Sequence, residues 1–268
     1  MPKIAEICEV LHHFAPLELA AAWDNTGLLL GDAGAKCCGV MTALDLSADV
    51  IEQAQAKGCN LILTHHPFIF HGQKQVLPGC YEGGMITALI KADMAAIACH
   101  TNWDNAPGGI NWALAEALGL VNVVPIIEPG AGEDILLLAG DFPQALSAQN
   151  LLKTAAQALG LPVIRASGLC ADKTYRRLAV CGGAGMDLWP RAQAAGCDAF
   201  LSSDPRHHEG LQAAAAGFAV LDGTHFATEI IGIRRLARLL RQQMPGLAVY
   251  FAEAVDSWQF YSVDGAKI

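Results

Sequence analysis

Nothing in the 268-residue chain approaches the ~20 consecutive apolar residues of a membrane-spanning helix; its apolar runs are short, as in VVPII and ILLLAG. No transmembrane span and no membrane partner are expected. A secretory leader is not expected either, because Glu6 and Glu9 interrupt the apolar positions of MPKIAEICEVLHHFAPLELA. Cys-x-x-Cys pairs are missing. The nine cysteines, an odd number scattered from Cys8 to Cys197, read as reduced and mostly buried thiols of a cytoplasmic protein, not as a disulfide scaffold or a thiolate zinc site. Charge is sparse, at 16% of residues, and its balance of −9 gives no electrostatic reason to expect nucleic acid as a partner. The full glycine fingerprints for dinucleotides and nucleoside triphosphates are also absent. GGAG (182–185) keeps only a Gly-x-Gly fragment, a weak candidate for holding phosphate on backbone amides.

What the chain does have is core-forming material: 53% of its residues are hydrophobic, enough for a sizeable buried interior. Its length suits two domains. Ile4, Ile7, Leu11 and Phe14 recur at helical spacing and predict a first helix. AQAKGCNLILTHHP (54–67) matches AQAAGCDAFLSSDP (192–205) at seven of fourteen positions, with an offset of 138 residues. Upstream of each copy stand a short apolar run, a turn and a helical pattern that stops at Gly58 or Gly196, so each reads as strand, helix, strand. Fixed-register similarity marks repeated architecture. The predicted fold class is α/β, with two similar lobes built on βαβ repeats: residues 1–125 and 126–268, joined through the Pro/Gly/acid stretch EPGAGEDI. MAAIACH and GFAVLDGTH are predicted strands, and GGINWALAEALGL and TEIIGIRRLARLLRQQM predicted helices. AVYFAEAVDSWQFYSVD reads as two strands able to return to either lobe.

Three polar clusters follow predicted strands: His65-His66 in THHP, His100 and Asp104 in HTNWD, and His225 and Glu229 in THFATE. The C-terminal ends of strands are where open α/β sheets bind ligands. Two clusters have i, i+4 spacing, which puts both side chains on one helical face. Imidazole and carboxylate together are the ligand set of zinc, iron or manganese. Pro67 predicts that the strand ends near Thr64 with His66 extended. Two extended neighbours diverge, which suits two metals with one histidine each, a carboxylate such as Glu229 bridging them.

At this point the chain resembles the dinuclear-metal family called Nif-three-like or GTP cyclohydrolase 1 type 2 homologue proteins. The resemblance rests on AAWDNTGLLLGD, LILTHHPFIFHG, CHTNWDNAPGGINWALAEALGL, VCGGAGMDLWPRAQAAGCDAFLSSDPRHH and VLDGTHFATE, in the family's order. It implies His65, His66, Asp104, His225 and Glu229 as ligands of two divalent metal ions (Zn, Fe or Mn), a site in the cleft between the lobes, a toroidal homohexamer, and His100 beside the metals. Thr224 and Ser203 stand where relatives usually have glycine, which would alter backbone freedom nearby.

His100 and His208 are the candidate catalytic groups; His208, with His207, follows the repeat copy of the first cluster and is placed for acid/base work. His12 and His13 read as helix-surface residues, and His71 is ambiguous. Trp23-Asp24-Asn25 reads as a loop with Trp23 packed in the core and the polar pair making turn hydrogen bonds. The leading functional expectation is a metal-dependent hydrolase acting on a nucleotide or similar small anionic molecule. The alternative is a non-catalytic metal-handling or regulatory interaction protein.

Overall fold

The computed structural model describes residues 1–127, 137–253, 255–264 and 266–268. The stretch EPGAGEDI lies outside them. In chain order the elements are α1 (Ile4–Phe14), β1 (Gly27–Leu30), β2 (Val40–Ala43), α2 (Ala48–Ala56), β3 (Leu61–Thr64), α3 (Tyr81–Lys91), β4 (Ala95–Ala98), α4 (Thr101–Asn105), α5 (Ile110–Ala117), β5 (Val121–Pro125), β6 (Leu138–Ser147), α6 (Ala148–Leu159), β7 (Arg165–Ser167), β8 (Thr174–Val180), α7 (Trp189–Ala194), β9 (Ala199–Ser202), α8 (His207–Ala215), β10 (Ala219–Asp222), α9 (His225–Gln243) and β11 (Val249–Phe251). The fold is α/β with two sheets, ordered β1-β4-β3-β2-β11 and β5-β6-β8-β9-β10-β7. None of the described helices is long and apolar enough to cross a membrane.

The chain separates into two compact units, Met1–Gly109 with Gly232–Ala254, and Ile110–Ile231 with Val255–Ile268. A boundary at residue 125/126 falls inside the second of these, because β5 pairs with β6 and so belongs to the second sheet. Of the C-terminal segment expected as two strands, the first part is β11, which joins the first sheet parallel to β2; among its described residues the second part shows only an isolated bridge between Tyr261 and Lys267.

The repeat extends well past its matching residues. β2 and β3 run parallel with Val40 opposite Leu61, and β8 and β9 run parallel with Leu178 opposite Ala199, each member 138 positions after its counterpart. The antiparallel edges agree too: Leu28 of β1 faces Ile97 of β4, and Ala166 of β7 faces Leu221 of β10. Between the third and fourth strands of each copy the offset drops to 124, since Leu61 faces Ala95 and Ala199 faces Ala219. The shortfall of fourteen residues (138 − 124) lies within the link to the next strand, where the chain needs residues 65–80 to reach α3 but only 203–206 to reach α8.

Burial explains why the strands read as continuous apolar runs. In the second sheet Leu178, Val180, Ala199, Leu201, Ala219 and Leu221 pack on one face, and Ala179, Cys181, Phe200 and Val220 on the other. A sheet covered on both faces has no polar alternation to display. In the first, β2, β3 and β4 are buried throughout. Helix α1 buries Ile4, Ile7 and Leu11, as their spacing predicts. All nine cysteines are free thiols, and five are buried: Cys37, Cys59, Cys99, Cys181 and Cys197. Burial pushes the Cys99 thiol up to about 12, which keeps it protonated and unreactive.

Candidate metal centre

β3 ends at Thr64, as Pro67 predicts, but the two histidines that follow do not diverge. Their ring centroids lie 4.8 Å apart. The backbone leaves the extended path at once: the N–H groups of His65 and His66 both donate to the carbonyl of Leu44 at 3.1 Å, and the Thr64 hydroxyl donates to the His66 carbonyl at 2.8 Å. This curl defeats the alternation of a strand and answers how adjacent histidines serve one place. His100, the residue before α4, joins them, and ligand atoms of His65, His66 and His100 all lie within 4.8 Å of one another. Asp104, one turn into the same segment, brings Oδ1 to 3.7 Å from His65 Nε2.

Each imidazole is held by its other nitrogen. His65, fully buried, directs Nδ1 at the Cys99 carbonyl, 2.8 Å away. A carbonyl only accepts, so Nδ1 carries the proton and Nε2 the lone pair in the neutral ring. His66 Nδ1 lies 2.7 Å from Asp45 Oδ1 and His100 Nδ1 lies 2.8 Å from Asp24 Oδ1. Asp24 also accepts from the Thr101 backbone at 3.0 Å and from the Thr101 hydroxyl. Burial pushes the Asp24 carboxyl up, but the hydrogen bonds from His100 and Thr101 outweigh it and hold the pKa down at about 2.

In the second unit His225 and Glu229 share the first turn of α9, with Nε2 3.1 Å from Oε2 and Glu229 almost wholly buried. The helix starts three residues earlier than TEIIGIRR suggests, and this brings both side chains onto one face. His225 Nδ1 is fixed at 2.7 Å by Asp204 Oδ2. The pair backs onto Gly183, where an added Cβ would come within 2.1 Å of Glu229 Oε1 and 3.4 Å of His225 Nε2. By register, the two i, i+4 pairs are displaced by one residue: at the offset of 124 His100 matches Thr224, not His225.

The donor chemistry fits a divalent transition metal. Imidazoles whose far nitrogen is bonded to a carboxylate or carbonyl are the usual form of metal-binding histidine, because that bond fixes the tautomer and raises the basicity of the ligating nitrogen. His65, His66 and His100 in one unit, and His225 with Glu229 in the other, are side chains able to hold such an ion.

Other expectations fare differently. His208 is exposed at the second position of α8 and makes no side-chain hydrogen bond or ion pair with a described residue. Its neighbour His207 lines a cavity of about 250 Å³ together with Arg165, Arg206 and Asp222. The GGAG amides are not offered to phosphate: Gly182 donates to Asn111 Oδ1 at 2.7 Å, Gly183 to the Thr228 hydroxyl at 3.0 Å, and Gly185 to the Ser202 hydroxyl at 3.1 Å. Thr224 does hold a left-handed backbone, with φ +58°. Ser203 is not among the described residues with positive φ; Asp204, with φ +53°, takes the turn instead, and the Ser203 hydroxyl donates to the Gly183 carbonyl. Trp23 is 61% exposed and is not a core residue, although Asp24 and Asn25 make the expected local bond, 2.7 Å from Asn25 N to Asp24 Oδ1. The sequence assigns Asp24 a turn hydrogen bond only, and Asp45 and Asp204 no orienting role. Asp24 was visible in WDN and Asp204 in the repeat, whereas nothing marks Asp45.

The Duf34/NIF3 (NGG1p interacting factor 3) family model matches residues 2–257. A relative from Streptomyces coelicolor named "GTP cyclohydrolase 1 type 2 homolog" is 34% identical over 85% of this chain and 82% of its own. Among solved structures, a Staphylococcus aureus hypothetical protein superposes with a TM-score of 0.88 at 27% identity, covering 96% of this chain and 99% of its own. A Bacillus cereus protein related to NIF3 gives a TM-score of 0.90 at 20% identity over 98% and 99%, a likeness of fold alone. On this footing the chain belongs to the Duf34/NIF3 (NGG1p interacting factor 3) family.

Proposed function

We propose that His65, His66, Asp104, His225 and Glu229 hold two divalent metal ions and that the protein is a metal-dependent hydrolase of a nucleotide or similar small anionic molecule. The supporting observation is the anchoring of the Nδ1 atoms of His65, His66 and His225 by Cys99, Asp45 and Asp204, which presents Nε2 of each as a ligand. When bound, divalent metal supplies Lewis acidity and a water of lowered pKa. The chain's own groups do the rest. His100, its Nδ1 proton held by Asp24, offers Nε2 to accept a proton from water or to give one to a leaving group. The relatives' name, GTP cyclohydrolase 1 type 2 homolog, supports a nucleotide as the substrate class.

Elemental analysis of protein purified without chelator or oxygen, beside His65→Ala and Glu229→Ala, tests the reading, together with turnover of a nucleotide panel. Two ions per chain in the wild type, lost with turnover in both variants, is the expected result. Fewer ions, unchanged by reconstitution, would sink the metal assignment. Two ions without any consumed nucleotide would transfer the protein to metal handling. A ring of six 28.2 kDa chains in the cytoplasm belongs to the same proposal, and sedimentation reads the assembly.

A further inference from the structure

Beside the histidine cluster of the first unit stand two aromatic rings that are partly open to water. Trp23 is 61% and Phe70 39% exposed, whereas Trp103 and Trp189 are 1% and 8%. Their ring centroids lie 5.8 Å apart, and each is near His100: 6.0 Å from Trp23 and 6.1 Å from Phe70. His100 in turn touches the rings of His65 at 5.0 Å and His66 at 5.7 Å.

The pair is held in place, not merely exposed. Asn25 Nδ2 donates to the Ile69 carbonyl at 2.5 Å and ties the loop of Trp23 to the loop of Phe70. Asp24, next to Trp23, is bonded to His100 and to the start of α4. Both loops are thus tied to each other and to the histidine cluster. Phe70 also lies in the longer of the two equivalent links, residues 65–80, where the second copy makes do with 203–206. The extra length therefore supplies an aromatic at the cluster.

Exposed aromatics forgo the burial that normally stabilises them, and a planar π-system is what recovers it, stacked or edge-on at 4.5–7 Å between centroids. We infer that Trp23 and Phe70 form a stacking site for a planar heteroaromatic ring, so that the molecule acted on carries such a ring next to the atom that reaches the histidines. The link to reaction rests on the hydrolase reading; the binding of a ring does not.

The test measures binding without turnover. Tryptophan fluorescence and calorimetry on the full chain, as purified with its metal, give Kd for guanosine monophosphate, adenosine monophosphate and ribose 5-phosphate. Both nucleotides should bind more tightly than ribose 5-phosphate, and Trp23→Ala should remove about five- to a hundredfold of that preference, as loss of a base-aromatic stack does. Trp23→Phe should retain most of it. Phe70→Ala, on the other loop, should weaken nucleotides in the same selective way and carries the test if Trp23→Ala fails to fold. Equal affinity for all three probes, no binding of either nucleotide, or an undiminished preference in the folded alanine variants would overturn the proposal. A nucleotide bound through Trp23 but never consumed would keep the stacking site and defeat only the hydrolase reading.

Discussion

Asp204 accepts the Nδ1 proton of His225 at 2.7 Å, and it stands 138 positions after His66, at the point in the repeat that His66 fills in the first copy. One copy thus places a ligand-type imidazole after its third strand, and the other places the carboxylate that orients an imidazole. The first copy takes its orienting carboxylate from Asp45, just beyond β2. Removing such a partner typically weakens metal affinity by about 10- to 100-fold. Asp204→Ala is therefore expected to lose metal to a competing chromophoric chelator at concentrations that leave the wild type loaded. Asp204→Asn should lose less, since an amide oxygen still accepts from Nδ1 and asparagine tolerates φ +53°. Indistinguishable affinities across the three proteins would mean that His225 is oriented without Asp204.

Asp24 predicts an acid-side stability change of definite sign. Its pKa lies at about 2 in the folded chain against an ordinary 3.8. The folded state therefore binds this proton less readily than the unfolded one, and stability rises with pH across that interval. The contribution is complete above the ordinary value and disappears as pH falls from about 4 through about 2. Denaturant midpoints measured over this range should fall more steeply in the wild type than in Asp24→Asn, which has no carboxyl to titrate. Parallel curves would show that the His100 and Thr101 bonds add nothing to folding.

β2, β3, β4, β8, β9 and β10 were legible because each carries a short, largely buried apolar run, whereas β5 and β7 are mostly exposed and show no such run. The repeat was legible because LILT and AFLS sit in the same register of two similar sheets. What escaped depended on backbone detail that residue types do not record. His65 and His66 converge because two N–H groups share the Leu44 carbonyl. Trp23 looked like core since tryptophan usually is, yet its loop is fixed by Asn25 and Asp24, not by burial of its ring. Asp45 gave no signal because a lone aspartate after a strand is ordinary turn chemistry.

Gly183 is expected to be irreplaceable for a local reason. Its φ is +64°, and a Cβ would overlap Glu229 Oε1 at 2.1 Å. Gly58 and Gly196 have φ of +68° and +75° with nothing within 4 Å of an added Cβ. Alanine at either control position should cost only the left-handed penalty of about 1–2 kcal/mol. Gly183→Ala should cost more and also displace the carboxylate, so that bound metal falls selectively in that variant. Elemental analysis of the three folded proteins reads the difference. Equal metal content would separate Glu229 from the metal.

Thr224 combines a cost and a gain at the entrance to α9. A β-branched residue at φ +58° is strained by about 1–2 kcal/mol. Its hydroxyl, however, accepts from the Ala227 N–H at 3.4 Å, and its carbonyl accepts from Thr228 N at 3.2 Å. Glycine removes the strain, forfeits a few tenths of a kcal/mol of capping, and adds about 0.4–1 kcal/mol of freedom to the unfolded chain. The balance leaves Thr224→Gly stabilised by about 0.5 kcal/mol. Alanine keeps the left-handed conformation without the cap and should be destabilised by about 1 kcal/mol. Urea midpoints should therefore rank glycine first, threonine next and alanine last. Alanine level with glycine would mean that neither the left-handed backbone nor the cap governs this helix start.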